Sequence, residues 1–260
     1  MARSMTCDPP ICPDYPNLRA VAGLVMADGR VLRAGHFYRS EALCTPSKIA
    51  SAAIAALGIR HVFDLRGQGE REAAPNGWWR AQGVRIDEWD LIADARNAGA
   101  HWQALVEDPQ GEGGRRMMMA TYRALPFAML PHLGRLFDAL GEGDGAVLVH
   151  CAAGKDRTGI AVALVLAAIG VSRAAILADY LESGDRENPA VVAWTRALLE
   201  RRLGAPIDAQ CLADVTGVDA AYLETAFAAI DTEFGSLDDY FARAGWGSDA
   251  RAALAERLAG

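Results

Sequence analysis

Two apolar segments separated by a polar loop restrict the fold of this chain more than any other feature. Residues 146–149 are all apolar, residues 158–169 are nearly so, and the loop between them contains a glycine. The first segment predicts a buried strand. The second predicts a helix in the interior, because it has hardly any polar face. A strand that leads through a loop into a buried helix favours an α/β fold over an all-β one.

The first two thirds of the chain alternate in the same way between strand-like and helix-like segments. We predict a hairpin at Asp28-Gly29, a helix capped by Thr45 and ended by Gly58, strands over residues 59–65 and 84–89, and a helix over residues 130–140. Strands that alternate with helices form parallel sheets with helices on both faces. The expected fold is therefore α/β, with a mainly parallel central sheet flanked by helices and with extra C-terminal helices.

We expect a single domain over residues 1–260, because no linker or internal repeat divides the chain. Within it, residues 1–16 should be coil and residues 172–260 should form the added helices. Residues 92–125 have a weaker pattern, with charged residues and three glycines near the middle. We interpret this segment as a mobile insertion or lid that carries some helix.

The composition excludes several classes of protein. With 52% hydrophobic residues the chain is not intrinsically disordered, and its net charge of −7 argues against a general nucleic-acid binder. The longest apolar run, residues 160–171, is too short to span a bilayer, and the N-terminus lacks the apolar core of a signal peptide. Five scattered cysteines indicate reduced thiols. We therefore expect a cytoplasmic protein, while export without a signal peptide is compatible with the same patterns.

The polar loop between the two apolar segments reads His150-Cys-Ala-Ala-Gly-Lys-Asp-Arg-Thr-Gly159. The helix that begins within it offers unpaired N–H groups and the positive end of its dipole, which together bind phosphate. Cys151 opens the loop and Arg157 closes it, so the guanidinium can fold over an oxyanion held above the sulfur. The positive charge of the helix N-terminus and of Arg157 should also favour the thiolate form of Cys151, which is the nucleophile. The expected phosphate-binding residues are Ala152, Ala153, Gly154, Lys155, Asp156 and Arg157.

Residues beside the loop should support it. His150 can orient the loop through hydrogen bonds. The Thr158 hydroxyl can donate a hydrogen bond to the Cys151 sulfur when the sulfur acts as a leaving group. A Gly-Lys pair also occurs in the phosphate loop of nucleotide triphosphatases. Here, however, Asp156 stands where that motif needs serine or threonine, and Val149 stands at its first glycine. The loop therefore does not imply a nucleotide triphosphatase.

The loop resembles the signature of the protein tyrosine phosphatase superfamily, and its form is similar to that of a bacterial branch that acts on phosphotyrosine and phosphoinositides. Other segments that look like this branch are Asn17-Leu-Arg, Asp28-Gly-Arg, Phe37-Tyr-Arg-Ser40, Phe63-Asp-Leu-Arg66 with Glu70, Asp179-Tyr-Leu, Phe234-Gly-Ser with Tyr240, and Ala244-Gly-Trp-Gly247. The resemblance implies a phosphatase for phosphotyrosine, with phosphoserine, phosphothreonine and phosphoinositides as further candidate substrates. Lys155 would then contact the additional phosphates of a phosphoinositide.

The resemblance also implies a two-step mechanism. Cys151 attacks phosphorus while Arg157 and the loop amides bind the phosphate oxygens, and water then hydrolyses the cysteinyl-phosphate. Neither a metal nor an organic cofactor takes part, and inorganic phosphate is the product held in the loop. Asp156 is the implied general acid. Asp90 and then Asp94, which follow the predicted strand over residues 84–89, are the alternatives, and Asp64 is a support beneath the loop.

Three alternatives accompany this interpretation. A catalytically inactive phosphate-binding module is one, although the intact Cys151, Arg157 and Thr158 argue against it. A sulfurtransferase of the rhodanese type also uses a loop cysteine, but its loop usually lacks an Arg-Thr-Gly ending at this spacing. Asp156 is equally compatible with a structural role, because an acidic residue in the first turn stabilises the helix dipole.

Overall fold

The computed structural model describes residues 11–91 and 100–260, and this part of the chain contains one mixed sheet. The strands are β1 (Arg19–Ala20), β2 (Phe37–Ser40), β3 (Ile59–Asp64), β4 (Arg85–Glu88) and β5 (Ala146–His150), in the order β1-β2-β5-β3-β4. All neighbours are parallel except the two-residue edge strand β1, which is antiparallel to β2. The prediction of a mainly parallel central sheet is confirmed.

Helices pack on the sheet and make up most of the C-terminal third. In the described residues they are α1 (Lys48–Ala55), α2 (Gln68–Ala73), α3 (Gly77–Ala81), α4 (Ala100–Glu107), α5 (Gly113–Glu142), α6 (Asp156–Ala168), α7 (Arg173–Asp185), α8 (Pro189–Leu203), α9 (Ala209–Thr216), α10 (Ala220–Phe234), α11 (Leu237–Arg243) and α12 (Ser248–Leu258). None of the helices in the described ranges has both the length and the apolar character needed to cross a membrane.

Strand β5 lies at the centre of the sheet with all of its residues buried. Its side chains alternate between two cores. Val147 and Val149 belong to the larger core, together with residues of α5 and α6, whereas Leu148 belongs to the smaller core on the other face with Ile54 of α1. Nearly every residue of α6 is buried, as its apolar sequence predicts. The loop that joins β5 to α6 is therefore anchored at both ends in the interior.

The parallel strands bring several loops to one edge of the sheet. His150 at the end of β5 pairs with Ser40 at the end of β2 and with Asp64 at the end of β3, and Asp64 pairs with Glu88 at the end of β4. The four loops that follow these strands therefore start side by side. Ligands of open α/β sheets bind outside this carboxyl edge, and the loop that begins with Cys151 lies there.

The prediction of a mobile insertion over residues 92–125 is wrong for residues 113–125. Residues 113–125 form the first turns of α5, and Met117, Met118 and Tyr122 on these turns are completely buried. Residues 100–107 form α4, and residues 92–99, with the candidate acid Asp94, lie outside the described residues.

The glycines of this segment explain the error. A Cβ on Gly113 would overlap the carbonyl oxygen of Asp108, and one on Gly114 would lie 2.6 Å from the carbonyl oxygen of Cys211. These glycines allow backbones to pack closely, whereas their presence in a weakly patterned segment had predicted mobility.

Three smaller expectations also need correction. Ser47 caps α1, because its side chain accepts a hydrogen bond from the amide of Ala50, so the helix starts after the predicted Thr45-Pro46. The segment over residues 130–140 is part of the 30-residue helix α5, which continues through Pro126 and Pro131. The predicted hairpin is a tight turn closed by one isolated bridge between Val25 and Val31.

Candidate active site

The predicted nucleophile lies between the end of β5 and the beginning of α6. Cys151 follows His150, the last residue of β5, and is 1% exposed. The amide of Leu65 donates a hydrogen bond to the carbonyl oxygen of His150 at 2.8 Å, which ties the end of β5 to the loop after β3. Cys151 therefore opens a tethered loop that leads into the N-terminus of a 13-residue helix, where the helix dipole favours an anion.

Three consecutive carbonyl oxygens of the loop, those of residues 152–154, accept hydrogen bonds from outside the loop. The donors are the Ala42 amide to Ala152 at 3.0 Å, Asn17 Nδ2 to Ala153 and Gly154 at 3.1 and 3.0 Å, and Arg39 Nη2 to Gly154 at 3.1 Å. Each N–H of a trans peptide points opposite to its C=O, so the amides of residues 153–155 point to the other side. A row of amides with one orientation forms a cradle for an anion.

Arg157 is 2% exposed and is held by a carboxylate from α2. Its Nη1 and Nη2 bind the two oxygens of Glu70 at 2.5 and 2.8 Å, and Nη1 also donates to the carbonyl oxygen of Leu65 at 3.2 Å. Glu70 in turn accepts a hydrogen bond from the amide of Gly67 at 2.9 Å, where α2 begins. A bidentate pair fixes the plane of a guanidinium, so the Arg157 side chain has a defined orientation in the absence of substrate.

Asp64 and His150 form a buried polar group beneath the loop. Asp64 accepts hydrogen bonds from Arg66 Nε at 2.9 Å, from Arg66 Nη2 at 2.7 Å and from Asn76 Nδ2 at 2.7 Å. Burial opposes its charge, but the hydrogen bonds and charge of Arg66, with the hydrogen bond from Asn76, hold the pKa of the Asp64 carboxyl well below its usual range. Burial lowers the pKa of His150, so its imidazole is neutral at neutral pH. His150 Nδ1 lies 3.2 Å from the carbonyl oxygen of Cys151.

Asp156 belongs to a second buried network. The residue is 1% exposed, and its Oδ1 accepts a hydrogen bond from the hydroxyl of Tyr122 at 2.7 Å. The hydroxyls of Tyr122 and Tyr180 lie 2.7 Å apart. Burial, followed by the charge of Asp156, raises the pKa of Tyr122 well above its usual value, so this phenol stays protonated and donates. Asp156, the first candidate for the general acid, is therefore buried and hydrogen-bonded to a protonated tyrosine.

Lys155 is directed toward the end of α9. Its Nζ donates to the carbonyl oxygens of Val215 and Gly217 at 2.9 and 2.6 Å and lies 3.2 Å from Asp156 Oδ1. The residue is only 6% exposed. These contacts place a cation at the C-terminal end of a helix, where it is stabilising. They favour a structural role for the ammonium over the predicted contact with further substrate phosphates.

Thr158 lies in the first turn of α6 with a completely buried side chain. Its hydroxyl has no hydrogen-bond partner within residues 11–91 and 100–260. The expected hydrogen bond to the Cys151 sulfur is thus not among its contacts in these ranges. A buried hydroxyl with an unused donor is the condition under which such a bond would form once the sulfur carries charge or a phosphoryl group.

Asp90, the second candidate for the acid, lines a groove of about 750 Å³ beside the loop. Its Oδ1 accepts a hydrogen bond from the amide of Gln68 at 2.9 Å, and its side chain is 44% exposed. The groove is lined by Ala42, Arg66, Gly67, Gln68, Gly69, Glu70, Ala73, Ala74, Asp90, Leu91, Ala152, Ala190, Val191, Trp194 and Leu198. Asp90 therefore reaches the groove directly, whereas Asp156 does not line it.

Several residues that position the loop were not assigned a role by the sequence analysis. Asn17, Arg39 and Glu70 appeared only within segments that look like the bacterial branch, and Tyr122 was not singled out. Each makes its contact with the loop across at least 34 positions of sequence, as between Tyr122 and Asp156, and up to 137 positions, as between Asn17 and Gly154. A local sequence pattern carries no information about such distant partners.

Comparison with known proteins gives one consistent result. A sequence profile of the tyrosine phosphatase family matches residues 12–260. The triple specificity protein phosphatase PtpB of Mycobacterium tuberculosis is 35% identical over 259 residues, covering 88% of this chain and 91% of that protein. A Cupriavidus necator protein, provisionally named a tyrosine-protein phosphatase, is 31% identical over 227 residues, covering 86% of this chain and 79% of that protein.

A solved structure is a more distant match. The crystal structure of Pseudomonas aeruginosa TpbA aligns with 84% of this chain and 97% of that chain, at 18% identity and a TM-score of 0.36. A TM-score of this size does not establish a shared fold. The sequence relatives therefore carry the family assignment.

Proposed function

Because this chain belongs to the tyrosine phosphatase family, we propose that it hydrolyses phosphotyrosine monoesters through a cysteinyl-phosphate intermediate. One observation carries the proposal. Cys151 opens a loop whose carbonyl oxygens are bound from outside, and that loop ends at an arginine fixed by Glu70. A cysteine-dependent phosphatase needs this combination of a nucleophile, a cradle of amides and an oriented guanidinium.

In the first step the Cys151 thiolate attacks phosphorus opposite the phenolic oxygen. The S–P bond forms and the P–O bond to the tyrosine breaks. Arg157 and the loop amides bind the other three phosphate oxygens, whose charge must be stabilised in the transition state. The departing phenolate takes a proton from the general acid and leaves as tyrosine.

In the second step a water molecule attacks the phosphorus of the cysteinyl-phosphate. The deprotonated acid of the first step accepts a proton from this water and the P–S bond breaks, which regenerates the Cys151 thiolate and releases inorganic phosphate. The Thr158 hydroxyl, which has no other partner in the part of the chain that the structure describes, is proposed to donate a hydrogen bond to the sulfur as it leaves as a thiolate. These steps use groups of this chain, the substrate and water, so the proposal requires no metal or organic cofactor.

We test the function with purified wild-type protein, a chelator and a panel of substrates. The panel contains para-nitrophenyl phosphate, a phosphotyrosine peptide, a phosphoserine peptide and a phosphoinositide in mixed micelles. We expect release of phosphate from the first two in the presence of chelator. Binding of phosphate without turnover would favour the inactive module, and transfer of sulfur from thiosulfate to cyanide would favour the sulfurtransferase.

The panel also tests the range of substrates. The Mycobacterium tuberculosis relative is named a triple specificity protein phosphatase, which supports a range of substrates wider than phosphotyrosine. Lys155 does not add to this support, since its ammonium binds carbonyl oxygens at the end of α9.

We also propose a cytoplasmic location, because the four cysteines in the described ranges, Cys12, Cys44, Cys151 and Cys211, are free thiols.

The general acid is proposed to be Asp156, with Asp90 as the alternative. To protonate the leaving group, the Asp156 carboxyl must exchange its hydrogen bond from Tyr122 for one to the phenolic oxygen. We expect Asp156→Asn to lower kcat by about a hundredfold to a thousandfold for phenyl phosphate. The loss should be much smaller for 2,4-dinitrophenyl phosphate, whose leaving group needs no proton.

Asp90→Asn is the matched variant, because it removes the same charge from a residue on the groove. Its kcat should stay within about threefold of the wild-type value for both esters, and steady-state kinetics on the two substrates give the comparison. A loss that depends on the leaving group in Asp90→Asn, together with none in Asp156→Asn, would transfer the acid role to Asp90.

A further inference from the structure

Asn17 is a buried asparagine whose amide orientation is fixed by its neighbours. The residue is 3% exposed and directly precedes Leu18 before β1. Arg19 Nη1 donates to its Oδ1, and arginine can only donate, so the other end of the side chain must be the NH₂ group. That Nδ2 donates to the carbonyl oxygens of Ala153 and Gly154 at 3.1 and 3.0 Å. One amide nitrogen thus donates to two consecutive peptides of the loop.

The loop is also held from the same side by β2 and by the residues after it. Arg39 Nη2 donates to the carbonyl oxygen of Gly154 at 3.1 Å, and the Ala42 amide donates to that of Ala152 at 3.0 Å. Arg39 is completely buried, and its Nη1 is fixed by Asp179 Oδ2 at 2.5 Å. The support is therefore itself rigid.

Gly154 shows how closely the loop approaches β2. Its φ is +69°, and a Cβ at this position would overlap the carbonyl oxygen of Ser40 and lie 2.5 Å from the amide nitrogen of Glu41. A side chain at position 154 would push the loop away from β2 and out of reach of Asn17. The tight approach and the asparagine contacts therefore depend on each other.

These contacts determine which atoms of the loop face a bound anion. A peptide that flipped by half a turn would direct its carbonyl oxygen, with a negative partial charge, toward the phosphate. Asn17 opposes this flip for two peptides, because each flip would break a hydrogen bond and leave a buried donor unpaired. Donation to a carbonyl oxygen also polarises the same amide, which strengthens its N–H as a donor.

We propose that Asn17 is a positioning residue that holds the peptides 153–154 and 154–155 with their N–H groups toward the substrate phosphate. The proposal rests on the function proposed above, since it concerns the same loop. Asn17 does not touch the reacting atoms and acts through Gly154 and Lys155, whose amides belong to these two peptides. Its loss should impair the binding of oxyanions and the transition state more than it impairs the stability of the fold.

The experiment compares Asn17→Ala and Asn17→Asp with the wild-type chain. Asn17→Asp keeps the size of the side chain and the acceptor for Arg19, but it removes both donors. For each protein we measure kcat and KM with para-nitrophenyl phosphate, the Kd for inorganic phosphate by competition, and Tm. We expect kcat to fall and the phosphate Kd to rise, each by about tenfold to a hundredfold, which is below the effect of deleting a direct oxyanion donor.

Leu18→Ala is the matched control. Leu18 follows Asn17 in sequence and is completely buried in the smaller core, and its apolar side chain cannot donate a hydrogen bond to the loop carbonyls. It should lower Tm at least as much as the Asn17 variants while kcat and the phosphate Kd, measured well below Tm, stay within about twofold of wild type. If Asn17→Ala does not fold, Asn17→Asp carries the test, and the Kd of the double variant Asn17→Asp with Cys151→Ser gives a readout without turnover.

The outcomes separate this inference from the proposed function. A wild-type chain that neither binds phosphate nor hydrolyses the ester would overturn the proposed function. A wild-type chain that does both, beside Asn17 variants with unchanged kcat and Kd, would overturn the role of Asn17 alone. Equal losses of kcat in Leu18→Ala and the Asn17 variants at equal Tm would reduce Asn17 to a structural residue.

Discussion

Replacement of Cys151 by serine is expected to lower kcat by at least about 10⁴-fold while the loop still binds phosphate. A serine hydroxyl is not ionised at neutral pH and is a far poorer nucleophile than a thiolate. Loss of the nucleophile of an enzyme costs about this much or more, because the other catalytic groups have no covalent step left to assist. The amide cradle and Arg157 do not depend on the sulfur, so the Kd for inorganic phosphate should change by less than about tenfold.

Cys211→Ser provides the matched control for this variant. Cys211 is completely buried in α9 and lies outside the loop. Any general cost of placing a hydroxyl in the interior appears in both variants, whereas only Cys151→Ser should lose turnover. Phosphate release and competition binding measure the two quantities. Turnover in Cys151→Ser within tenfold of the wild-type rate would rule out a cysteinyl-phosphate route.

The part of the site that could be predicted from sequence is the part formed by one continuous segment. The apolar strand, the loop and the apolar helix lie within residues 146–169, so their order along the chain already gives their order in space. The position of Cys151 at the end of β5 and of Arg157 at the beginning of α6 follows from this segment alone. Tertiary packing then only has to place the segment at the centre of the sheet.

The residues that hold this segment could not be predicted in the same way. Glu70 reaches Arg157 from α2, and Asn17 reaches the loop from before β1, because the order of the strands in the sheet brings distant segments together. That order depends on how the whole sheet assembles. The same limit applies to Gly113 and Gly114, since only the partner helix reveals whether a glycine serves mobility or close packing.

The candidate acids show a further limit of sequence reasoning. Asp156 stands next to Arg157 in sequence, which suggests that both face the substrate. In the structure the first turn of α6 directs Asp156 to Tyr122 in the core, while Arg157 is directed to Glu70. Successive residues of a helix are about 100° apart around its axis, so neighbours in sequence need not share a face.

Replacement of Arg157 by lysine is expected to lower kcat by about a hundredfold to ten-thousandfold. The guanidinium binds both oxygens of Glu70, and this pairing fixes its plane against the phosphate cradle. A lysine ammonium is a single point charge on a flexible chain and cannot pair with a carboxylate in two fixed hydrogen bonds. The loss should appear mainly in kcat, because the charge on the oxygens that Arg157 binds is greatest in the transition state.

Glu70→Gln tests whether the orientation of Arg157, and not only its charge, matters. Glutamine retains one acceptor oxygen but loses the second bond and the charge, so we expect a loss of kcat of about tenfold, between wild type and Arg157→Lys.

Arg186→Lys is the matched control for Arg157→Lys, because Arg186 is also buried and pairs with Glu182 at 2.6 Å but lies outside the loop. Steady-state kinetics with para-nitrophenyl phosphate, alongside Tm, separate these cases. If Glu70→Gln equals wild type while Arg157→Lys is inactive, the charge of Arg157 suffices and its fixed plane does not contribute. If Arg157→Lys itself keeps kcat within about threefold of wild type, the guanidinium does not stabilise the transition state.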